Sequence, residues 1–166
     1  CYSKWGQGVC DGSIVIAYDS MWGGSEKLAR AIARGIQKAG VEVKVFKLSV
    51  TPNSTVAAEV FTCSGLLVGS PTLNSSMMPS MGSFLTYLKG LAPTGKKTAA
   101  FGTFGWAGGA QKDMEEMLAK FSKEILPGFT CKWTPQPNNL ESAEQFGFDF
   151  AQSILEEEHE ECHCAD

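Results

Sequence analysis

The hydrophobic positions of the chain fall into five short stretches that predict β-strands. Residues 13–18 and 65–69 are continuous apolar runs, as expected for central parallel strands that are covered on both faces. Residues 41–47 alternate between apolar and polar with period two, which predicts a strand at or near a sheet edge. Two further strands are predicted over 97–102 and 129–134.

The segments between these strands have the spacing of amphipathic helices. In 25–39, Leu28, Ile32 and Ile36 form one apolar stripe, and Gly40 is a typical helix stop. Further helices are predicted over 55–62, 79–91, 109–122 and 141–156. The expected inward-facing side chains of the last two are Met114, Met117, Leu118 and Phe121, and Phe146, Phe150 and Ile154.

The five predicted strands alternate with five predicted helices. Such alternation indicates right-handed βαβ crossovers and a parallel sheet, that is, an α/β fold. In a sheet of this kind the ligand lies beyond the carboxyl ends of the strands, at the point where the strand order reverses. The loops that follow the strands are therefore the first place to look for chemistry.

Composition narrows the choice of partners. The chain has 166 residues, a length that suits one domain, and a net charge of −4. Residues 156–166 contain six acids and no Lys or Arg, so the remainder has 12 acids against 14 basic residues and is close to neutral. A near-neutral body gives no reason to propose nucleic acid as a partner. No apolar run reaches the ~20 residues that span a bilayer, so we also expect no membrane partner.

The six cysteines are scattered rather than arranged as a disulfide framework, so we expect a reducing, cytoplasmic compartment. Cys63 and Cys131 are predicted to be buried thiols. His159, Cys162, His163 and Cys164 form a compact group near the C-terminus, but their spacing matches no zinc pattern. We therefore predict no metal site and interpret 157–166 as an acidic, disordered tail.

The loop that joins the first strand to the first helix is the most informative segment. Residues 20–25 are small, polar or glycine, apart from Met21 and Trp22, and they lead directly into a helix. Backbone N–H groups at a helix N-terminus favour an anion. The loop has neither the Lys of a triphosphate P-loop nor the three glycines of the dinucleotide fingerprint. It therefore suits one phosphate monoester, as in a mononucleotide.

Two other loops are expected at the same sheet edge, namely 70–75 and 102–108. Both are rich in glycine and small polar residues, and Trp106 in one matches Trp22 in the first loop. A flat aromatic ligand needs polar backbone groups at its edge and apolar groups on its faces. Combined with a phosphate, these requirements describe flavin mononucleotide (FMN).

Four segments, in this order, resemble the flavodoxin-like domain of the flavodiiron proteins, or A-type flavoproteins. They are 18–27 (YDSMWGGSEK), 68–74 (VGSPTLN), 84–91 (FLTYLKGL) and 101–106 (FGTFGW). The resemblance covers about residues 13–155 and implies a doubly wound, five-stranded parallel sheet of order 2-1-3-4-5 with helices on both faces. Residues 2–5 also resemble the end of the family's linker helix. We accordingly expect a linker remnant at 1–12 and the FMN-binding domain at 13–156.

The resemblance implies the cofactor contacts residue by residue. The phosphate would be bound by Ser20, Met21, Trp22, Gly23, Gly24 and Ser25. The isoalloxazine and ribityl chain would lie along Pro71, Thr72, Leu73 and Asn74. The other side of the ring would be bordered by Thr103, Phe104, Gly105, Trp106, Ala107 and Gly108.

The function implied by the resemblance is electron transfer without a catalytic side chain. Electrons would arrive from a redox protein or reductase and pass to a diiron domain, in cis or in a dimer, that reduces O₂ or NO. This chain has no His-x-Glu-x-Asp-His cluster, so we do not expect it to be catalytically complete alone. The alternatives are a free-standing FMN-dependent NAD(P)H:quinone reductase and a flavodoxin.

Two further interpretations concern residues near the same edge. Met77, Met78 and Met81 are expected to form a packing or docking surface rather than a metal site. Asp19, between the first strand and the loop, either caps the loop or lines the site. The sequence leaves that choice open.

Overall fold

A computed structural model of the chain describes residues 13–19, 24–71, 79–91, 97–104, 110–120, 124–125, 128–132 and 136–163. Its strands are β1 (Ile14–Tyr18), β2 (Val43–Lys47), β3 (Gly65–Gly69), β4 (Lys97–Phe104), β5 (Glu124–Ile125) and β6 (Phe129–Lys132). Its helices are α1 (Gly24–Lys38), α2 (Asn53–Thr62), α3 (Pro79–Leu91), α4 (Ala110–Leu118) and α5 (Pro137–His163).

The described strands form one parallel sheet in the order β2-β1-β3-β4, followed by β5 and β6. Both β5 and β6 pair with β4, at its start and at its end, so together they occupy the place of one fifth strand. The predicted order 2-1-3-4-5 is thus confirmed, and β2 lies at a sheet edge as its alternating pattern indicates.

Two hydrophobic cores, one on each face of the sheet, hold the helices in place. On one face α1 and α5 pack against alternate residues of the central strands, among them Ile14, Ile16 and Leu67. On the other face α2, α3 and α4 pack against Val15, Ala17 and Val68. Because side chains of a strand alternate between faces, a fully apolar strand such as β1 can serve both cores.

The helix faces agree with the apolar stripes read from the sequence. Leu28, Ile32 and Ile36 are fully buried, and Phe150 and Ile154 are almost so. Met81 is also fully buried, in the core beneath α3, so its role is packing; Met77 and Met78 lie outside the described residues. Cys63 and Cys131 are buried thiols that form no disulfide, as predicted.

Most element boundaries differ from the predictions by a few residues, and the largest differences concern the fifth strand and the last helix. The fifth strand was predicted only over 129–134, but a first segment, β5, pairs with Lys97 and Thr98. Three residues separate β5 from β6, whereas two separate their partners on β4. The helix predicted over 141–156 begins earlier, at Pro137, and continues to His163, so most of the segment predicted to be a disordered tail, 157–166, is helical. Proline is favoured in the first helical turn, where its missing N–H leaves no bond unmade.

Helices α1 and α5 approach each other closely at two glycines. A Cβ on Gly35 would overlap the carbonyl oxygen of Glu144, and a Cβ on Gly147 would overlap that of Ile32. The Glu144 side chain forms ion pairs with Lys38 and Arg34 of α1 beside this contact. The contact sets the position of α5 against the sheet. Among the helices that the structure describes, none is long and apolar enough to cross a membrane.

Candidate functional site

The carboxyl ends of three adjacent strands meet at one level of the sheet. Tyr18 at the end of β1 is in register with Gly69 at the end of β3, and Gly69 is in register with Phe101 of β4. Strand β4 continues three residues beyond that level, to Phe104. The segments 20–23, 72–78 and 105–109 therefore all leave the same edge, as the parallel topology requires.

Ser25 lies at this edge of the sheet, and its buried hydroxyl group lacks a hydrogen-bond partner among the described residues. It lies in the first turn of α1, is 1% exposed, and its Oγ has no hydrogen-bond partner in the described part of the protein. An unpartnered buried hydroxyl costs roughly 1–3 kcal/mol. Such a group at a helix N-terminus, where N–H groups and the helix dipole favour negative charge, fits an anionic acceptor. This observation matches the predicted phosphate of FMN.

Asp19 connects the end of β1 to the end of β3 and to the first turn of α3. Its backbone N–H donates to the carbonyl oxygen of Gly69 at 3.0 Å. Its carboxylate accepts a hydrogen bond from the Ser80 hydroxyl, in the first turn of α3. Although Asp19 is charged, it is 3% exposed. The contact observed is with the first turn of α3. The two roles that the sequence leaves open, capping the first loop and lining the site, involve residues outside the described part of the chain.

The ends of β3 and β4 lie unusually close to each other. A Cβ on Gly102 would overlap the carbonyl oxygen of Ser70. Ser70 is buried, its N–H donates to the Phe101 carbonyl oxygen at 3.2 Å, and its hydroxyl donates to the Pro71 carbonyl oxygen at 2.9 Å. These bonds fix the backbone direction at the point where the second loop begins.

The other titratable side chains at the end of β1 face the opposite core. The Tyr18 hydroxyl donates to Glu26 at 3.4 Å, and Glu26 forms an ion pair with Arg30 at 2.9 Å. Burial, and then the neighbouring Glu26 carboxylate, raise the pKa of Tyr18 above its ordinary value. Tyr18 is thus a neutral hydrogen-bond donor at physiological pH, not a base.

The predicted site residues are only partly within the described regions. Gly24, Ser25, Pro71 and Thr103 are described, and all four lie at this edge of the sheet; Phe104 is described by its backbone alone, as the last residue of β4. The others lie outside the described residues: Ser20, Met21, Trp22, Gly23, Thr72, Leu73, Asn74, Gly105, Trp106, Ala107 and Gly108.

Sequence reasoning missed Ser80 altogether. A serine after a proline in a helix's first turn is unremarkable as a pattern, and its partner Asp19 is 61 residues away in the chain. For metals, the described residues contain no group of three or more His, Cys, Asp or Glu that could hold an ion. The side chains of His159, Cys162, His163 and Cys164 lie outside that description.

Comparison with known proteins agrees with this geometry. The flavodoxin family pattern matches residues 16–147. A nitric oxide reductase of Moorella thermoacetica is 40% identical over 157 residues, which are 93% of this chain and 39% of that protein. Rubredoxin oxygen:oxidoreductase of Desulfovibrio gigas superimposes with a TM-score of 0.84 at 29% identity, over 92% of this chain and 39% of that one. The flavodiiron protein of Giardia intestinalis gives 0.81 at 29% identity, over 93% and 39%.

The chain thus spans about two fifths of the length of these relatives. The matched residues include the carboxyl end of β1, the buried Ser25 and the close approach of β3 and β4, which are the features that form the candidate site. The predictions of fold, family and cofactor are confirmed. The chain belongs to the flavodoxin family, it has FMN as its cofactor, and it corresponds to the flavodoxin-like module of the flavodiiron proteins.

Proposed function

We propose that this chain is the electron-transfer domain of a flavodiiron O₂ or NO reductase. In this proposal it accepts electrons from a redox protein or reductase and passes them to a diiron site held by another part of the protein or by a dimer partner. The similarity to a nitric oxide reductase and to rubredoxin oxygen:oxidoreductase supports this role. So does the near-neutral body of the chain, because free flavodoxins tend to be strongly acidic.

The observation that carries the proposal is the buried, unpartnered hydroxyl of Ser25. At a helix N-terminus it can donate to the phosphate without a cationic side chain nearby. We assign the phosphate to residues 20–25. We assign the ribityl chain and ring to Pro71, Thr72, Leu73 and Asn74 on one side and to residues 103–108 on the other.

FMN supplies the redox chemistry when bound, and the residues of the chain supply position and environment. The hydrogen bonds of Ser70 fix the start of the second loop, and Gly102 lets β4 pass close to it. Buried β1 and β3 form an apolar floor beneath the edge, which keeps water away from the sheet side of the site. No general acid, base or nucleophile is required.

The finer parts of the proposal concern boundaries and partners. The FMN domain comprises residues 13–156 together with the rest of α5, which continues to His163; residues 1–12 form a linker, and the protein is cytoplasmic. The electron donor is a redox protein or reductase, and the acceptor is the diiron domain. The donor must approach the carboxyl edge of the sheet, because that is where the proposed FMN contacts lie.

The first test is the visible spectrum of the purified chain before and after addition of FMN. We expect flavin bands near ~450 nm and quenched flavin fluorescence at one FMN per chain. A colourless protein that leaves the fluorescence of added FMN unchanged would contradict the proposal.

The second test separates electron transfer from quinone reduction. After mixing of the FMN-loaded chain with NADH in a stopped-flow instrument, we expect slow bleaching of the flavin bands. Rapid bleaching would favour the NAD(P)H:quinone reductase instead. Addition of a catalytic amount of a flavin reductase provides the positive control, since it should then reduce the flavin.

A further inference from the structure

Asp19 is a buried charge at a place where packing alone would favour an apolar residue. It is 3% exposed, and it lies directly after β1, whose side chains are all buried. Burying a carboxylate is costly unless it accepts hydrogen bonds. The Ser80 hydroxyl supplies one, and the contact is between side chains, so it depends on these two residues rather than on secondary structure.

The Asp19–Ser80 pair joins residues that flank two different loops of the candidate site. Asp19 is the residue before the first loop, 20–23, and Ser80 is the second residue after the second loop, 72–78. The residue before one loop is therefore bonded to the helical turn that follows the other. The Asp19 N–H bond to Gly69 extends the connection to the strand from which the second loop departs.

The alternation of side chains along β1 explains why Asp19 can reach α3. Tyr18 faces the core formed with α1, so the next side chain faces the opposite layer, where α3 packs. The first turn of α3 is held over the sheet by Met81 and Phe84, which are fully buried. Ser80 thus has a fixed place from which its hydroxyl meets Asp19.

We infer that the Asp19–Ser80 pair makes the site selective for the phosphorylated flavin. This inference rests on the proposed function, in which the first loop binds the phosphate and the second binds the ring. By holding the residue before the first loop against the first turn of the helix that follows the second loop, the pair preorganises the site for a ligand that contacts both loops. A flavin that lacks the phosphate, riboflavin, contacts only one of them and gains little from that preorganisation.

In this role Asp19 and Ser80 are positioning residues, which need not touch the cofactor. Removal of the pair should weaken the binding of FMN and leave that of riboflavin nearly unchanged. Hydrogen bonds to carboxylates are among the stronger ones, and part of the contribution of this bond goes to preorganisation of the site. The expected loss of FMN affinity is about tenfold.

The experiment compares FMN and riboflavin binding, by fluorescence quenching, to the full chain and three variants. Ser80→Ala removes the hydroxyl. Ser80→Thr keeps a hydroxyl and should rescue the affinity for FMN. Ser83→Ala is the matched control, because Ser83 is exposed one turn further along α3, where its hydroxyl accepts a long bond of 3.3 Å from Asn53.

The expected result for Ser80→Ala is about tenfold weaker FMN binding, less than about twofold weaker riboflavin binding, and wild-type behaviour of both Ser80→Thr and Ser83→Ala. Equal weakening of both flavins, or no weakening, would overturn the inference while the proposed function stands. If the unmodified chain binds neither flavin, both fail. Thermal unfolding of each apo variant separates an effect on the site from a loss of the fold.

Discussion

Glycine permits a close approach of two backbone segments both at the contact between α1 and α5 and at the carboxyl edge of the sheet, but the two regions have different roles. At the helix contact, Gly35 lets backbone approach backbone, and at the sheet edge Gly102 does so. The polar groups beside these glycines differ. Glu144 at the helix contact is paired with Lys38 and Arg34, whereas Ser25 at the edge is buried without a partner among the described residues. Close packing alone therefore does not mark a ligand site; unused hydrogen-bonding capacity does.

The largest effect should come from Gly35→Ala, which tests the helix contact. The new Cβ would overlap the Glu144 carbonyl oxygen and crowd the Phe148 nitrogen, both backbone atoms that cannot rotate away. We expect the free energy of unfolding to fall by about 3 kcal/mol, measured by urea denaturation of the apo chain. The FMN dissociation constant of the folded fraction should stay within about twofold, since the contact is remote from the edge.

Gly82→Ala is the control for this prediction. Gly82 lies inside α3, and a Cβ there meets nothing within 4 Å. Alanine has the higher helix propensity, so this variant should be more stable by about 0.5–1 kcal/mol. Similar stability changes in the two variants would contradict the assignment of the α1–α5 contact as tight.

Ser25→Ala should have the opposite pattern to Gly35→Ala: it should weaken FMN binding without lowering the stability of the apo chain. Loss of a hydrogen bond to a charged phosphate should weaken FMN binding by about ten- to a hundredfold. Removal of the unpartnered buried hydroxyl should leave the apo chain as stable as before, or more stable by about 1 kcal/mol. Both quantities can be obtained from one set of thermal unfolding curves with and without FMN.

Ser142→Ala serves as the matched serine variant. Ser142 is exposed on α5, and its hydroxyl donates to the Asn138 carbonyl oxygen at 3.1 Å. It should leave FMN binding unchanged. An apo Ser25→Ala chain that is clearly less stable than the unmodified one would mean that Ser25 is a structural residue, and the comparison drawn above would fail.

Gly102→Ala should lower both the stability of the chain and its affinity for FMN, because Gly102 is closely packed and lies near the site. Its Cβ would overlap the Ser70 carbonyl oxygen, so the end of β3 has to shift. Ser70 lies at a strand end, where some movement is possible, and we expect a loss of about 1.5 kcal/mol in unfolding free energy. FMN affinity should fall by a few fold, because the second loop begins at Ser70. If Gly102→Ala lowers the stability but leaves the affinity for FMN unchanged, the second loop does not belong to the FMN site.

The elements with strong hydrophobic patterns were predictable from the sequence. The apolar run of β1 and the stripe of Leu28, Ile32 and Ile36 on α1 are local signals, and they became buried where expected. Ser25 was assigned to a phosphate from the character of its loop, before its unpartnered hydroxyl was known. These signals suffice because periodicity and helix caps are properties of neighbouring residues.

The remaining features depend on residues that are distant in sequence. Gly35 and Gly147 look like any helix glycine until α1 and α5 are placed together. The Asp19–Ser80 bond spans 61 residues, and neither residue has a pattern that indicates the other. The two residues of β5 are too few for a period to be recognised, so that strand appears only from its pairing with β4. Long-range pairing of this kind is set by the whole fold.

The smallest expected effect is that of Glu144→Gln on pH-dependent stability. The Lys38 and Arg34 side chains hold the pKa of Glu144 below its ordinary value, the bond from Lys38 contributing most. A lowered pKa in the folded state means that the stabilisation is complete above the unfolded-state pKa, about 4.3, and is lost as pH falls through the folded-state value. The melting temperature of Glu144→Gln should therefore lie slightly below that of the unmodified chain at pH 7, with the gap closing in acid.

Because these charges are largely exposed, high salt should also narrow the gap at pH 7. Glu141→Gln, exposed one turn earlier on α5, is the control. A gap that persists in acid after Glu144 has been protonated in the folded state as well would show that its side chain acts through packing rather than charge. The α1–α5 contact would then depend on close packing at its glycines alone. The two regions would differ in that close backbone packing defines the helix contact, whereas an unused hydrogen-bonding group defines the sheet edge.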